Sequence, residues 1–345
     1  MKILLTGGAG FIGSHTWLAL TEAGFTPVIL DDFSNSHVEV LSRLEKISGK
    51  PVIWHQGNVS DVELVRSIIL QHCIGAVVHF AAFKAVSESV IQPLTYYDNN
   101  LGGITRLLQA MDACDCRQFI FSSSAAVYGD PASVPITEHF PRAHTNPYAH
   151  TKLVCEDMLT ALHISNSAWK IAVLRYFNPV GAHDSGLIGE NPAGTPSNLM
   201  PYLAQVAVGK QPHLTIYGND YSTPDGTGVR DYIHVQDLAQ GHVAAVRTLV
   251  SQGQGFTVNL GSGQGHSVLE VVQAFEKASG CRIPYRFAGR RAGDVAQCFS
   301  EVSRSYEVLG WRTTHTLADM CADTWRWQKA NPNGYRVVGT QQTLP

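Results

Sequence analysis

Along positions 2–175 the apolar residues fall into two alternating textures. Short β-branched runs, each closed by a turn, are followed by ten or more residues with helical periodicity. The runs predict strands over 2–5, 27–30, 52–55, 76–80, 119–122 and 171–174, and the periodic stretches predict helices that include 12–23, 61–71 and 93–113. A parallel connection needs a crossover of about a dozen residues, so this alternation predicts an α/β fold, a doubly wound parallel sheet covered on both faces. Ligands of such a sheet lie at the carboxyl ends of its strands. After Arg175 the texture changes. "NPVGAHDSGLIGENPAGTPSN" is rich in Gly, Pro and Asn, and the later signals are shorter and less regular. The expected organisation is a first domain over 1–177, a second, smaller α/β domain over 178–338 with some segments interleaved, and a flexible tail over 339–345.

Composition narrows the class. A chain of 345 residues is long for one core, since single cores stop growing near about 250 to 300 residues. Hydrophobic residues at 44% and charged residues at 15% describe a globular chain rather than a disordered one. The formal net charge is -3 and the basic residues are scattered, so no stripe is present that would neutralise a nucleic-acid backbone. The seven cysteines contain no C-x-x-C pair and the fifteen histidines no H-E-x-x-H, which reads as a reduced chain with no metal and no structural disulfide. "MKILLTGGAGFIG" is a strand feeding a glycine turn rather than a signal peptide, and no apolar run reaches the roughly 18 residues of a membrane span. A cytoplasmic protein without a membrane partner is the expectation.

The first strand runs into Gly7, Gly8, Gly10 and Gly13, a G-G-x-G-x-x-G turn that opens a helix. Such glycines let backbone N–H groups approach a pyrophosphate at a helix N-terminus, although a glycine-rich turn alone also serves tight packing. Asp31 follows at the end of the second strand, 18 residues past Gly13, near the spacing of an acid that binds ribose hydroxyls. The combination points to a dinucleotide-binding Rossmann domain. Asp32 adds a second carboxylate with no adjacent Arg or Lys, which disfavours a 2'-phosphate and favours NAD over NADP. Farther on, a strand ends in Ser122, Ser123 and Ser124, and "NPYAHTK" places Tyr148 and Lys152 four apart at the start of a helix. Taken singly, the serines are turn formers and the Y-x-x-x-K match a solvated helix face. Together with the nucleotide turn they supply the hydroxyl, base and cation that alcohol oxidation needs, with Lys152 expected to lower the Tyr148 pKa.

The set resembles the extended branch of the short-chain dehydrogenase/reductase superfamily that acts on nucleotide sugars. Along nearly the whole chain it resembles the UDP-glucose 4-epimerase family, through "TGGAGFIGSH", "VVHFAAFKAVSESV", "FSSSAAVYGD", "LRYFNPVGAH", "NLMPYLAQVAVG" and "YGNDYSTPDGTGVRDYIHV". The resemblance implies interconversion of UDP-glucose and UDP-galactose through a 4-keto intermediate, with tightly held NAD and no net redox change. Tyr148 is then the base at the sugar 4-hydroxyl, Ser124 bonds the same oxygen, and Lys152 holds the nicotinamide ribose. It implies further cofactor contacts from Phe11 and Ile12 at the pyrophosphate, and from Asp31, Asp32, Phe33, Ser34, Asn35 and Ser36 around the adenosine. Asn58, Val59, Phe80, Ala81, Ala82, Phe83, Lys84, Asn99 and Phe177 complete the cofactor set. The UDP-sugar falls to Asn178, Asn198, Leu199, Thr215, Ile216, Tyr217, Arg230, Arg291, Asp294 and Cys298. Arg230 and Arg291 suit a diphosphate, although either also suits a surface ion pair. A homodimer is implied too, through helices beginning near Pro93 and Tyr148. Leu101, Ile104, Leu108 and Met111 suit such a contact or, equally, the core.

Three positions depart from the family pattern. Asn58 replaces an aspartate facing the adenine amino group, and its amide oxygen is expected to accept the same bond. Ala82 replaces a glycine. Cys298 stands where epimerases confined to the glucose and galactose pair carry a tyrosine, which leaves room for an acetamido group and so for UDP-GlcNAc and UDP-GalNAc; the alternative is that Cys298 simply packs. Two rival readings share the fold. A nucleotide-sugar dehydratase or decarboxylase needs acids after the hydroxyl residue, where Ala125 and Ala126 stand. A non-catalytic NAD-binding regulator is expected to lose Ser, Tyr or Lys, and all three are kept.

Overall fold

The computed structural model describes residues 1–335 except 193, 195 and 292. The tail expected over 339–345 lies outside the described residues. Strands β1 (Lys2–Thr6), β2 (Thr26–Asp31), β3 (Ile53–Gln56), β4 (Ile74–His79), β5 (Gln118–Ser124) and β6 (Lys170–Tyr176) alternate with helices. These are α1 (Phe11–Glu22), α2 (Glu39–Ser48), α3 (Val62–His72), α4 (Val86–Ile91), α5 (Pro93–Tyr97), α6 (Gly103–Ala113) and α7 (Pro147–Ser165). The second half contributes β7 (Asn178–Val180), α8 (Leu199–Ala207), β8 (Leu214–Tyr217), β9 (Val229–His234), α9 (Val235–Gln252), β10 (Phe256–Leu260), β11 (Gly265–Ser267) and α10 (Val268–Ser279). It ends with β12 (Tyr285–Ala288), β13 (Gln297–Cys298), α11 (Ser303–Leu309) and α12 (Leu317–Ala330).

The main sheet has seven strands in the order β10-β6-β5-β4-β1-β2-β3, and its pairings are parallel. Parallel strands are covered on both faces, which is why their apolar runs are near-continuous. One face packs Leu18, Leu20 and Val243 from α1 and α9 against Ile3 and Ile29, and the other packs Ile68, Leu107 and Leu159 from α3, α6 and α7 against Leu4 and Phe121. Strand order reverses between β1 and β4, so the chain ends leave a crevice there. The seventh strand, β10, returns from beyond residue 178 to lie beside β6. Outside the main sheet, β9 pairs with β7, β11 and β13, while β8 and β12 form a parallel pair. These stand over a separate core of α8, α10 and α12 that includes Met200, Phe275 and Met320.

The helix expected over 93–113 is interrupted. A π-helical turn at Asp98–Gly102 links α5 to α6, and such turns gather at functional sites. It turns Ile104, Leu108 and Met111 into the core. Val86, Val90, Ile91 and Leu94 on α4 and α5 are the apolar side chains left exposed beside α7. No helix among the described residues is long and apolar enough to cross a membrane.

Candidate active site

A cleft opens over the carboxyl ends of β1, β2, β4 and β5, the crevice that the strand order predicts. Its floor is the glycine turn. Gly7 has φ +69°, and a Cβ there would stand 2.7 Å from the Ala81 nitrogen. At Gly13 it would stand 2.5 Å from the Gly7 carbonyl oxygen, so both glycines are required by the chain's own packing. Gly10 differs, since a Cβ there meets only the Gly7 oxygen, at 3.2 Å. Gly10 also caps α1 without a side-chain bond, and the first turn carries no acid. The Gly10 N–H donates to Gly7 and the Ser14 N–H to Gly10, which leaves the N–H groups of Phe11, Ile12 and Gly13 for an acceptor from outside. The positive end of a helix dipole with free donors and no side chain in the way fits a pyrophosphate.

At the end of β2, Asp31 is buried and used by the chain. One carboxylate oxygen accepts from the Ala9 N–H at 2.9 Å, and the other from the Phe33 N–H and the Ser36 hydroxyl at 2.9 and 2.8 Å. Burial raises its pKa, and those three donors pull it back. Three accepted bonds leave a carboxylate with capacity for one more. The Phe33 ring lies edge-on to Trp54 rather than lining the cleft. Asn58 does not present its amide as expected. Its Nδ2 donates to Asp32 at 3.0 Å, which turns the oxygen to the Ser60 N–H and hydroxyl at 2.9 and 2.7 Å. Both lone pairs are thereby occupied within the loop.

Asn146 and Pro147 start α7 in the manner their types favour. The Asn146 side chain accepts from the Ala149 N–H at 2.9 Å and Pro147 occupies the first turn. Tyr148 and Lys152 then project one turn apart into the cleft. Two lysines, Lys84 and Lys152, line the cleft together with Tyr148. Enclosure raises the Tyr148 pKa, and the Ser124 hydroxyl and the Lys84 charge pull it down. Lys152 donates to the Ser122 carbonyl at 2.8 Å and stands 4.9 Å from the centre of the Phe121 ring. Burial lowers the Lys152 pKa to about 8, against the pull of Cys155 and Glu156. Lys84 pairs with Glu190 at 2.9 Å.

Behind the serines lies a buried polar network. Glu156, two turns beyond Tyr148, accepts from the Ser123 hydroxyl at 2.6 Å and from Arg175 at 2.6 and 3.0 Å. Arg175 reaches on to the Tyr128 hydroxyl at 2.9 Å, and Tyr128 donates to Asn259 at 2.6 Å. Asn259 lies on β10, so the strand that returns from the second half braces the end of β5.

Of the expected cofactor residues, Gly7, Gly10, Phe11, Ile12, Gly13, Asp31, Asp32, Ser34, Asn35, Ser36, Asn58, Val59, Phe80, Ala81, Ala82, Phe83, Lys84, Asn99, Tyr148 and Lys152 line this one cleft. Phe177 is buried with Ala125, Val127 and Tyr128, the cluster on which Cys298 packs. Of the expected sugar residues, Tyr148 lines the cleft and the others stand outside its lining. Arg291 stacks 3.9 Å from the centre of the Tyr217 ring, and Thr215 and Ile216 share β8 with Tyr217, although the Ile216 side chain belongs to the core. Arg230 on β9 is paired with Cys298 on β13 and stands 3.9 Å from Asp294. Asn178 opens β7, and Asn198 caps α8 ahead of Leu199 while reaching Glu190 at 3.3 Å. Sequence reasoning missed Glu190, Asn191, Tyr176 and Tyr335, which also line the cleft. Tyr335 has no local signal at all. Glu190 lies in the stretch whose Gly, Pro and Asn content marks a loop.

The GDP-mannose 4,6 dehydratase family model matches residues 4–324. The chain is 53% identical over 336 residues to the UDP-glucose 4-epimerase of Bacillus subtilis, covering 97% of this chain and 99% of that one. A solved UDP-glucose 4-epimerase of Stenotrophomonas maltophila, with bound NAD and formylated UDP-arabinopyranose, superposes with a TM-score of 0.95 at 49% identity, covering 96% of this chain and 99% of that one. The Bifidobacterium longum enzyme in complex with NAD+ and UDP gives 0.94 at 49% identity, covering 97% and 100%. Fold, cleft and matches define the class as an extended short-chain dehydrogenase/reductase built on a dinucleotide-binding sheet. Within that class the chain belongs to the UDP-glucose 4-epimerase family.

Proposed function

We propose that the protein interconverts UDP-glucose and UDP-galactose at carbon 4 with NAD held in the cleft. The observation that carries this reading is the placing of Tyr148, Lys84 and Lys152 in one cleft beside a pyrophosphate-ready helix terminus, with Ser124 closing β5 and Ala125 and Ala126 following it. NAD supplies a reversible acceptor for the hydrogen at carbon 4. Tyr148 takes the 4-hydroxyl proton and returns it, and Ser124 holds the same oxygen. Lys84 favours the phenolate. Lys152 and the free N–H groups of α1 hold the dinucleotide. A dehydratase needs an acid to move a proton at a second carbon, and the methyl groups of Ala125 and Ala126 cannot carry one.

The exposed apolar residues of α4 and α5, Val90, Ile91 and Leu94 among them, support a homodimer closed through these helices and α7. Cysteines that are free among the described residues support a reducing, cytoplasmic setting. The test is to incubate the purified protein with UDP-galactose, adding no cofactor, and to follow the sugar by NMR. UDP-glucose is expected to appear. A sugar that stays unchanged even after NAD is supplied overturns the assignment.

A further inference from the structure

Gly189 and Glu190 line the cofactor cleft at the end of a loop, residues 184–190, that belongs to none of the helices and strands above. A wall without its own ladder must find partners for its backbone elsewhere. A few bonds are local, among them His183 N–H to the Ile188 carbonyl and Gly186 N–H to the His183 carbonyl, and the rest come from side chains far away in sequence, most of them from the C-terminal end of the described chain. Arg326 donates to the Asp184 carbonyl at 3.1 Å, and Asn331 to the Gly186 carbonyl at 2.9 Å. Arg43 reaches the Leu187 carbonyl at 2.9 Å and also the Asn331 side chain at 2.6 Å. The Trp327 indole donates to the Glu190 carbonyl at 3.2 Å. Its ring lies so close to the backbone that a Cβ on Gly189 would stand 2.4 Å from it.

Tyr335 completes the set. Its hydroxyl accepts from the Gly189 N–H and donates to the Gly189 carbonyl, both at 3.0 Å. The ring itself lines the cleft, between the His37 imidazole at 6.2 Å and the Arg43 guanidinium at 5.0 Å. The residue after Gly189 is Glu190, which reaches Lys84 at 2.9 Å. Tyr335 therefore fixes the peptide that carries the Glu190 carboxylate to its partner on the β4 side of the cleft.

We propose that Tyr335 is a positioning residue for cofactor retention: by holding Gly189 it keeps the cleft wall at Gly189 and Glu190 and the Glu190–Lys84 link in place, so that the dinucleotide leaves slowly. This rests on the reading of the cleft as the NAD site. Retention matters to such an enzyme because the hydrogen taken from carbon 4 must return to the same sugar before either part dissociates.

The experiment uses the purified holoenzyme and measures exchange of bound NAD against radiolabelled NAD, for wild type, Tyr335→Phe, Tyr335→Ala and Asn331→Ala. Tyr335→Phe keeps the ring and removes the hydroxyl, and exchange is expected to quicken by about tenfold, as loss of one or two hydrogen bonds predicts. Tyr335→Ala is expected to exchange faster again. Asn331→Ala frees Gly186 and Arg43 and is expected to fall between wild type and Tyr335→Ala. Far-UV circular dichroism unchanged at the assay temperature separates the effect from general unfolding, and if Tyr335→Ala does not fold, the other two variants decide. Exchange in Tyr335→Phe and Asn331→Ala as slow as in wild type overturns the inference while leaving the NAD site intact. Wild-type protein that neither retains nor binds NAD overturns the reading of the cleft itself.

Discussion

Lys152 gives its ammonium to the backbone carbonyl of Ser122 at 2.8 Å, so this cation braces the end of β5, while Lys84 lines the same cleft and its charge lowers the Tyr148 pKa. Four-residue spacing on a helix fixes the face that two side chains share, but a lysine has four methylenes with which to choose a partner.

The pH dependence of turnover follows from that division. A tyrosine acting as base works deprotonated, and Lys84 lowers the Tyr148 pKa. Replacing Lys84 by Gln therefore raises the phenol's pKa and moves the rising limb of kcat/KM to higher pH, with a slower enzyme at pH 7. Lys152, with a pKa of about 8, loses its charge as pH rises through that value and sets a falling limb on the alkaline side. Steady-state kinetics from pH 5 to 10 on wild type and Lys84→Gln, with saturating NAD, read both limbs. An unchanged rising limb in the variant removes Lys84 from the proton chemistry.

Tyr148→Phe keeps the ring and removes the proton acceptor, and kcat is expected to fall by about 10²- to 10⁴-fold. Ser124→Ala is expected to cost less. Because both hydroxyls are assigned to one substrate oxygen, the double variant should be little slower than Tyr148→Phe alone. Strictly multiplicative losses would place the two on different atoms.

Glu156 gives a stability prediction with a built-in scale. Its carboxylate is buried and takes bonds from Ser123 and Arg175. Glu156→Gln leaves the buried Arg175 guanidinium without its anion, a loss of about 3 to 5 kcal/mol. Ser123→Ala removes a single bond to the same group and should lower stability by about 1 to 2 kcal/mol. Urea unfolding of both variants checks the ratio. Equal losses would mean that Arg175 has found another partner.

Much of this was legible in the sequence, for a local reason. Each of β1, β2, β4, β5 and β6 is a short, largely buried run between turns, and buried parallel strands announce themselves by composition, while the edge strand β3 is half-exposed. The glycine turn, Asp31 and the Asn146–Pro147 helix start are likewise chemical necessities of their own few residues. β10 was not legible as a member of the main sheet, because its place beside β6 is set by a crossover through the second half of the chain. Nor were Glu190 and Tyr335. Their roles come from partners more than a hundred residues away, Lys84 for one and Gly189 for the other, and no local pattern encodes such a meeting.

Three buried histidines predict acid sensitivity. Burial lowers the pKa of His15 and His79 to about 3 and of His242 to about 4, against 6.5 in an unfolded chain. Below pH 6.5 the unfolded state therefore binds protons that the folded state refuses, and stability falls as pH drops toward 4. The urea midpoint is expected to decline steadily over that window and to be flat with respect to these groups above pH 7. The His79 Nδ1 and the Thr6 hydroxyl are hydrogen-bonded at 2.7 Å, and His79→Asn, which can keep a partner there without titrating, should flatten the decline. A slope unaltered by that change would assign the acid lability elsewhere.

The breadth of sugar specificity is tested at Cys298. It pairs with Arg230 across β9 and β13 and packs on the cluster of Val127, Tyr128, Ile136 and Phe177, next to Ala125 and hence to Ser124. Burial pushes its thiol up to about 11, so it contributes volume rather than charge or nucleophilicity at neutral pH. If that small volume is what admits an acetamido group, Cys298→Tyr fills the space with a phenol ring and lowers kcat/KM for the UDP-GlcNAc and UDP-GalNAc pair by about 10- to 100-fold, while the glucose and galactose pair keeps most of its rate. Parallel falls on both pairs would mean that the ring has overpacked the cluster and disturbed Ser124 through Ala125. Equal activity on the N-acetylated pair before and after the change would show that the wall at Cys298 does not touch the sugar's second carbon, and the specificity would have to be set on the β8 side, around Tyr217 and Arg291.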